Sequence, residues 1–243
     1  MKQRAQALIP AIVAIFVVFL TVVGQVSLFT SSSRSREKLD LLITSLNETL
    51  NGCYAYATTK DWENYLKQID KETSIEDGSK LFRYCINTAI NYINKFYDWS
   101  VELVEEDLEY VAGHYGWYTV TLKISKGDMM FKNIKYSQSI SISIDSVEIK
   151  KYPTAVYLEV NFTSMGFTPN YLTYEVYFKN EDFYEKVMSG TSLPVSGDKH
   201  SIRVGIGLKY LVMDQISFLL KCTNSRGVTV WVSGKVETGA SEG

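Results

Sequence analysis

The stretch Ser139-Ile140-Ser141-Ile142-Ser143-Ile144-Asp145-Ser146-Val147-Glu148-Ile149 decides the fold. Apolar side chains alternate with serines at a period of two, which builds a strand with one dry face and one wet face. A helix would scatter the same isoleucines around its circumference. After Asp145-Ser146 the apolar parity shifts to Val147 and Ile149, which predicts a bulge or bend at that point.

The same period runs on either side. Tyr118, Val120, Leu122 and Ile124 alternate with Thr119, Thr121 and Lys123, and Ser125-Lys-Gly-Asp128 reads as a hairpin turn. Further strands are predicted on Val156, Leu158, Val160 and Phe162, on Leu172, Tyr174, Val176 and Phe178, and on Ile202, Val204, Ile206 and Leu208. Ile216–Cys222 and Val228–Val236 form a closing hairpin around Asn224-Ser-Arg-Gly227. Glu181–Met188 reads as a short helical connector. About eight or nine strands with closely spaced turns predict an antiparallel β-sandwich over residues 100–243. The run Ser164-Met-Gly-Phe-Thr-Pro-Asn170 is where it would divide into two subdomains. The tail from Thr238 to Gly243 reads as frayed.

Before Ser100 the period is helical. Leu39, Leu42, Ile43, Leu46, Leu50 and Cys53 place one apolar stripe on a helix over Arg36–Ala57. A polar passage, Thr58–Glu76, holds a short helix at Asp61–Gln68. A second strong helix runs over Ser79–Tyr97, capped by Ser79 or Asp77, with Leu81, Cys85, Ala89, Tyr92 and Phe96 on one face. Residues 31–99 thus form a helical stem region, packed on its own domain or continuing the helix before it. Ala7–Phe29 carries no charge and is about 23 residues long, enough to cross a bilayer as a helix. The expected fold class is therefore α+β: a leader and transmembrane helix (1–30), a helical stem (31–99) and an antiparallel β-sandwich ectodomain (100–243).

The apolar run has three readings: a secretory signal, a plain single-span anchor, or the retained helix of a surface subunit. Val22-Val-Gly-Gln-Val-Ser27 is a poor cleavage site, and the run exceeds the usual signal core. The extreme N-terminus is Met1-Lys-Gln-Arg-Ala-Gln-Ala-Leu-Ile-Pro10. A short basic leader ending in Arg4-Ala5, followed at once by a long apolar helix, resembles the class III signal peptides of archaeal type IV pilin-like proteins. The resemblance covers about the first 30 residues. It implies a cut between Ala5 and Gln6, a retained apolar helix, and self-association or packing with other pilin-like subunits in a cell-surface filament. Pro10 departs from the bacterial pattern, which carries a Glu there. The expected partners are the membrane and such subunits, and the C-terminal bulk is expected outside the cytoplasm. Two sequons, Asn47-Glu-Thr49 and Asn161-Phe-Thr163, suit an outside location as N-glycosylation acceptors.

Three cysteines, Cys53, Cys85 and Cys222, show no zinc spacing. If the two helices pack antiparallel, Cys53 and Cys85 can pair and close a loop of about 30 residues; three buried thiols are the other reading. A net charge of −2 argues against nucleic acid as a partner. The 17 Tyr and 11 Phe suit a strand-rich packed domain.

No nucleophile elbow, phosphate loop, zinc-protease helix, EF-hand loop or dinucleotide fingerprint occurs. The two histidines, His114 and His200, have no metal partner at helical or hairpin spacing. Glu105-Glu-Asp107 with Glu109 reads as a solvated strand edge, Lys126-Gly-Asp128 as a turn, and Arg203-Val-Gly-Ile-Gly207 as a bulge or close packing. Trp62, Trp99, Trp117 and Trp231 read as packing residues. No catalytic or metal residue and no cofactor is expected. The function expected is a pilin-like, membrane-anchored structural or adhesive subunit. The alternative is a single-pass protein whose β-sandwich binds a ligand or protein without a filament.

Overall fold

The computed structural model describes residues 34–67, 75–111, 115–127, 129–130, 133–167, 172–180 and 183–238. Among the described residues two helices come first, α1 (Arg34–Lys67) and α2 (Ile75–Phe96). Ten strands follow: β1 (Ser100–Val111), β2 (Tyr115–Lys126), β3 (Met129–Met130), β4 (Ile134–Tyr152), β5 (Ala155–Met165), β6 (Leu172–Asn180), β7 (Phe183–Ser192), β8 (Lys199–Gly205), β9 (Gln215–Thr223) and β10 (Thr229–Glu237). A single turn of helix, α3 (Leu208–Leu211), separates β8 from β9.

The strands form two antiparallel sheets. One is six-stranded, ordered β1-β2-β4-β5-β8 with β3 paired to β2; the other is four-stranded, ordered β10-β9-β6-β7. The chain passes from the first sheet to the second after Met165, and β8 returns to the first. The β4–β5 register shifts between Ile144 and Ser146, at the parity change seen in the sequence. There the bulge lets Ile140 and Ile142 face the core before the break without dragging Ser146 into it. Gly166 sits at φ +78°, and a side chain there would run into the Ser139 carbonyl oxygen.

The two sheets are unequal, and the helices make up the difference. β10 lies across β4, with Gly234 against Phe218 and Ile144. Beyond that line the inner face of β2 has no opposing strand. Phe82 of α2 and Tyr54 of α1 cover it instead, their rings 5.1 Å and 5.0 Å from that of Tyr118. One continuous apolar core runs from Leu46, Leu50 and Phe82 through Val120 and Ile140 to Val176 and Phe218. Asn94 of α2 bonds both backbone groups of Val101, closing part of the β1 edge.

These features correct the expected fold class. The described residues are mostly antiparallel β-sheet with few helices, and the two long helices share the sandwich core and do not form a separate stem. Among the described residues no helix is long and apolar enough to cross a membrane. Both long helices carry charges along their length and bury only one stripe, so they close the sandwich core. The run Ala7–Phe29 lies outside the described residues, and the expected membrane-spanning helix finds no support in the described fold.

Local readings change too. The first helix does not stop at Ala57 but continues to Lys67. Thr58 bonds back to the Ala55 carbonyl, which accommodates it within the helix, while its Oγ1 accepts the Thr229 amide of β10. The second helix begins at Ile75, so Ser79 lies inside it. The stretch predicted as a helical connector is strand β7, because pairing with β6 from Asn180–Phe183 to Leu172–Ser192 overrides the local helical propensity.

Cys53 and Cys85 form a disulfide that staples α1 to α2, with Cα atoms 5.6 Å apart and a sequence separation of 32. Cys222 is a free, buried thiol on β9, and burial pushes its pKa up. Titration of the denatured, unreduced protein is expected to find one thiol. The pair Cys53→Ala/Cys85→Ala is expected to lower stability by about 2–4 kcal/mol in chemical denaturation. Three titratable thiols would refute the staple.

Candidate functional site

At one end of the sandwich, β5, β8 and the β7–β8 connection meet around His200. Alternation places Phe162 and Ser164 of β5 on the core face, opposite His200 of β8. The imidazole is 5% exposed and stacks on Phe162 with ring centroids 5.1 Å apart. Its Nε2 lies 3.0 Å from Ser164 Oγ and its Nδ1 3.0 Å from Ser192 Oγ. A neutral ring supplies one donor and one acceptor, and each hydroxyl can take either role, so both nitrogens are satisfied. Burial lowers the pKa of His200, and the Asp198 carboxylate and the Leu193 carbonyl only partly offset it.

A small pocket of about 60 Å³ opens onto this floor, lined by Ser164, Phe167, Leu172, Pro194, Asp198 and His200. Its rim is apolar and unusually exposed: Met165 is 60% exposed, Leu193 67% and Val195 74%. Each is a sequence neighbour of a residue at the site: Met165 of Ser164, Leu193 of Ser192, and Val195 of Pro194. The connection is held by bonds between Val195 and Lys199 and between Lys199 and Ser196, with Gly197 at φ +57° in the turn.

The Ser164–His200 contact has the length of a nucleophile–base pair, but its surroundings differ from those of a hydrolase. The second ring nitrogen meets a serine, not a carboxylate. The Ser164 amide is spent on the Asp198 carbonyl at 2.9 Å, so it offers no oxyanion donor. The arrangement suits a fixed, neutral polar floor under an apolar rim.

A second polar centre lies on the outer face of the four-stranded sheet. Glu175 takes hydrogen bonds from Tyr177 Oη at 2.7 Å, Lys221 Nζ at 2.8 Å and Lys186 Nζ at 3.2 Å. Burial alone would raise its pKa, but the bonds from Lys221 and Tyr177 outweigh that and hold it at about 2. Beside it the last turns of α1 set Trp62 against Trp231 and Tyr177, with centroids 5.4 Å and 5.2 Å apart. Trp62 and Trp231 are almost fully buried there, so the cluster fastens α1 to the sheet.

The structure scatters the other residues singled out in the sequence. Ala5 and Gln6, the expected cleavage pair, lie outside the described residues, as do His114 and Asp128. Asn47 is half-buried midway along α1. Asn161 lies in β5, far from Asn47 in sequence, and its amide donates to Ser146 Oγ at 2.9 Å. Glu105, Glu106 and Asp107 lie on edge strand β1, where Arg83 pairs with Glu106 at 3.0 Å. Among the described residues no group of three or more His, Cys, Asp or Glu side chains is arranged to hold a metal ion. Ser164 and Ser192 escaped notice in the sequence. They stand 36 and 8 residues from His200 and fit no spacing that marks a site.

No family model matches the chain, and no curated protein matches it. A solved structure with partial likeness is DesR, a β-glucosidase from Streptomyces venezuelae in complex with D-glucose, at 12% identity and a TM-score of 0.26. The match covers 44% of this chain and 15% of that one. A likeness so slight carries no argument about this chain.

The His200 floor has a pH signature. Its folded pKa lies below the unfolded value of about 6.5, so the unfolded chain takes up the proton first. Its contribution is complete above that value and is lost as pH falls through it toward the folded pKa. Denaturant midpoints at pH 7.5 and 5.5 are expected to fall for the wild type and to fall less for His200→Gln. An equal drop in both would show that the ring does not titrate in this way.

Proposed function

We propose that this chain is a pilin-like surface protein, a structural or adhesive component of an extracellular filament, that displays its sandwich outside the cytoplasm. The observation that carries the reading is the exposed apolar rim of Met165, Leu193 and Val195 at one end of the sandwich. Large apolar side chains left in water gain free energy when another protein covers them. A neighbouring subunit is the occupant to which the reading commits, in line with the resemblance carried by Lys2-Gln-Arg-Ala5. The Cys53–Cys85 disulfide supports an oxidising location.

A second reading is an extracytoplasmic β-sandwich that binds a protein or small ligand without a filament. The polar floor of His200 and Ser164 beneath the rim favours it, since such pockets take a protruding side chain or a small polar group.

Two measurements separate the readings. Peptide mass spectrometry of the native protein is expected to find a mature chain beginning at Gln6. The pair Leu193→Glu/Val195→Glu is expected to keep its unfolding midpoint within about 0.5 kcal/mol, as surface changes do, and to lose self-association by sedimentation. An unprocessed Met1 together with a monomeric wild type would overturn the filament reading and leave the second.

A further inference from the structure

Three buried polar atoms, two on α1 and one on β4, have no hydrogen-bond partner among the described residues: Asn51 Nδ2, Tyr54 Oη and Gln138 Oε1. Asn51 and Tyr54 are three residues apart on α1 and share a face. Asn51 is 3% exposed and Tyr54 is fully buried. Each of the three residues has a link to Tyr118. Its Oη donates to Asn51 Oδ1 at 2.9 Å, its ring packs against that of Tyr54, and Gln138 is its cross-strand partner in the β2–β4 register.

The chemical inventory is complementary. Asn51 brings an amide nitrogen with hydrogens to give, Tyr54 a hydroxyl, and Gln138 a carbonyl oxygen that only accepts. Turning the Asn51 amide over does not help. The Tyr118 hydroxyl could then accept from the nitrogen, but Oδ1 would become the orphan. Burial raises the pKa of both Tyr54 and Tyr118, so the two phenols stay protonated and able to donate. Leaving three such groups dry would cost much of a domain's marginal stability.

We infer that these three atoms form an internal binding site for one ordered water, which accepts from Asn51 Nδ2 and Tyr54 Oη and donates to Gln138 Oε1. A buried water with three such partners is the usual occupant of a polar interior site. The water bridges α1 to β4. It joins two direct ties, Tyr118 Oη to Asn51 and Tyr136 Oη to the Ile43 carbonyl at 3.0 Å. Together these help fix the register of α1 along the six-stranded sheet. The inference stands apart from the filament reading.

The test turns on a sign. If the Tyr54 hydroxyl were a true orphan, Tyr54→Phe would remove a desolvated group and raise Tm. If it holds a water, the same change removes a bond and lowers Tm, by about 2–4 °C for a chain of this size. Gln138→Met removes the acceptor and is expected to shift Tm the same way. A high-resolution crystal structure of the full chain is expected to place a water within hydrogen-bonding distance, about 2.6–3.2 Å, of all three atoms. A raised or unchanged Tm in either variant, or a dry site in the crystal, overturns the inference.

Discussion

The inner face of β2 must be kept dry, and the rest of the architecture follows from that need. Tyr118, Val120, Leu122 and Ile124 are all essentially buried, yet the four-stranded sheet ends at β10, short of them. A half-covered sheet face would expose a large apolar strip to water, at roughly 1.5–3 kcal/mol for each large side chain. Two helices fill the gap, because a helix pair is about as thick as a sheet layer and can lie across the overhang. This explains why α2 has a strong one-sided apolar stripe through Phe82, Ile86, Ile90 and Ile93. It also explains why a disulfide joins α1 to α2 at the heart of the same core. The staple holds the pair at a fixed separation, and the pair then behaves as one lid.

The course of α1 shows how one element serves two layers. Its first half lies inside, where Leu46, Leu50 and Tyr54 face the six-stranded sheet. Its last turns pass the β9–β10 hairpin, with Ala55 close to Gly227, and reach the outer face of the four-stranded sheet at Trp62. Asn224 makes that passage possible. Its side-chain oxygen accepts the amides of Arg226 and Val228 at 3.0 Å each, which holds the turn tight beneath the helix. The helix therefore clamps both sheets, and the polar ties along it settle a position that apolar packing leaves loose.

Much of this was legible in the sequence because the signals were local. Period-two alternation placed most of the long strands, and the parity change after Ile144 located the bulge. Asn224–Gly227 declared its turn, and helical spacing put Cys53 and Cys85 on the apolar stripes of two helices, so that they could pair if those helices packed antiparallel. What could not be read was set by distant partners. Phe183–Ser192 carries helix-compatible residues and becomes a strand only because β6 offers it a ladder. Thr58 and Thr59 look like a break and are instead absorbed, because Thr229 of β10 donates its amide to Thr58 and the Gly227 carbonyl of the preceding turn accepts from Thr59. The helices read as a stem because amphipathicity records that a face is buried but not against what.

The same limit governed the site. A histidine at a strand start says nothing by itself, and its two serines lie on other strands. The fold assembles them because β5 and β8 pair with Phe162 opposite His200, and the β7–β8 connection then folds Ser192 back under the ring. The cost of burying an imidazole is met by two hydroxyls that adapt to either tautomer, and the ring stays neutral. Such a floor is rigid and uncharged, while the rim above it leaves Leu193 and Val195 in water. The floor fixes the connection, and the rim gains free energy only when another surface covers it.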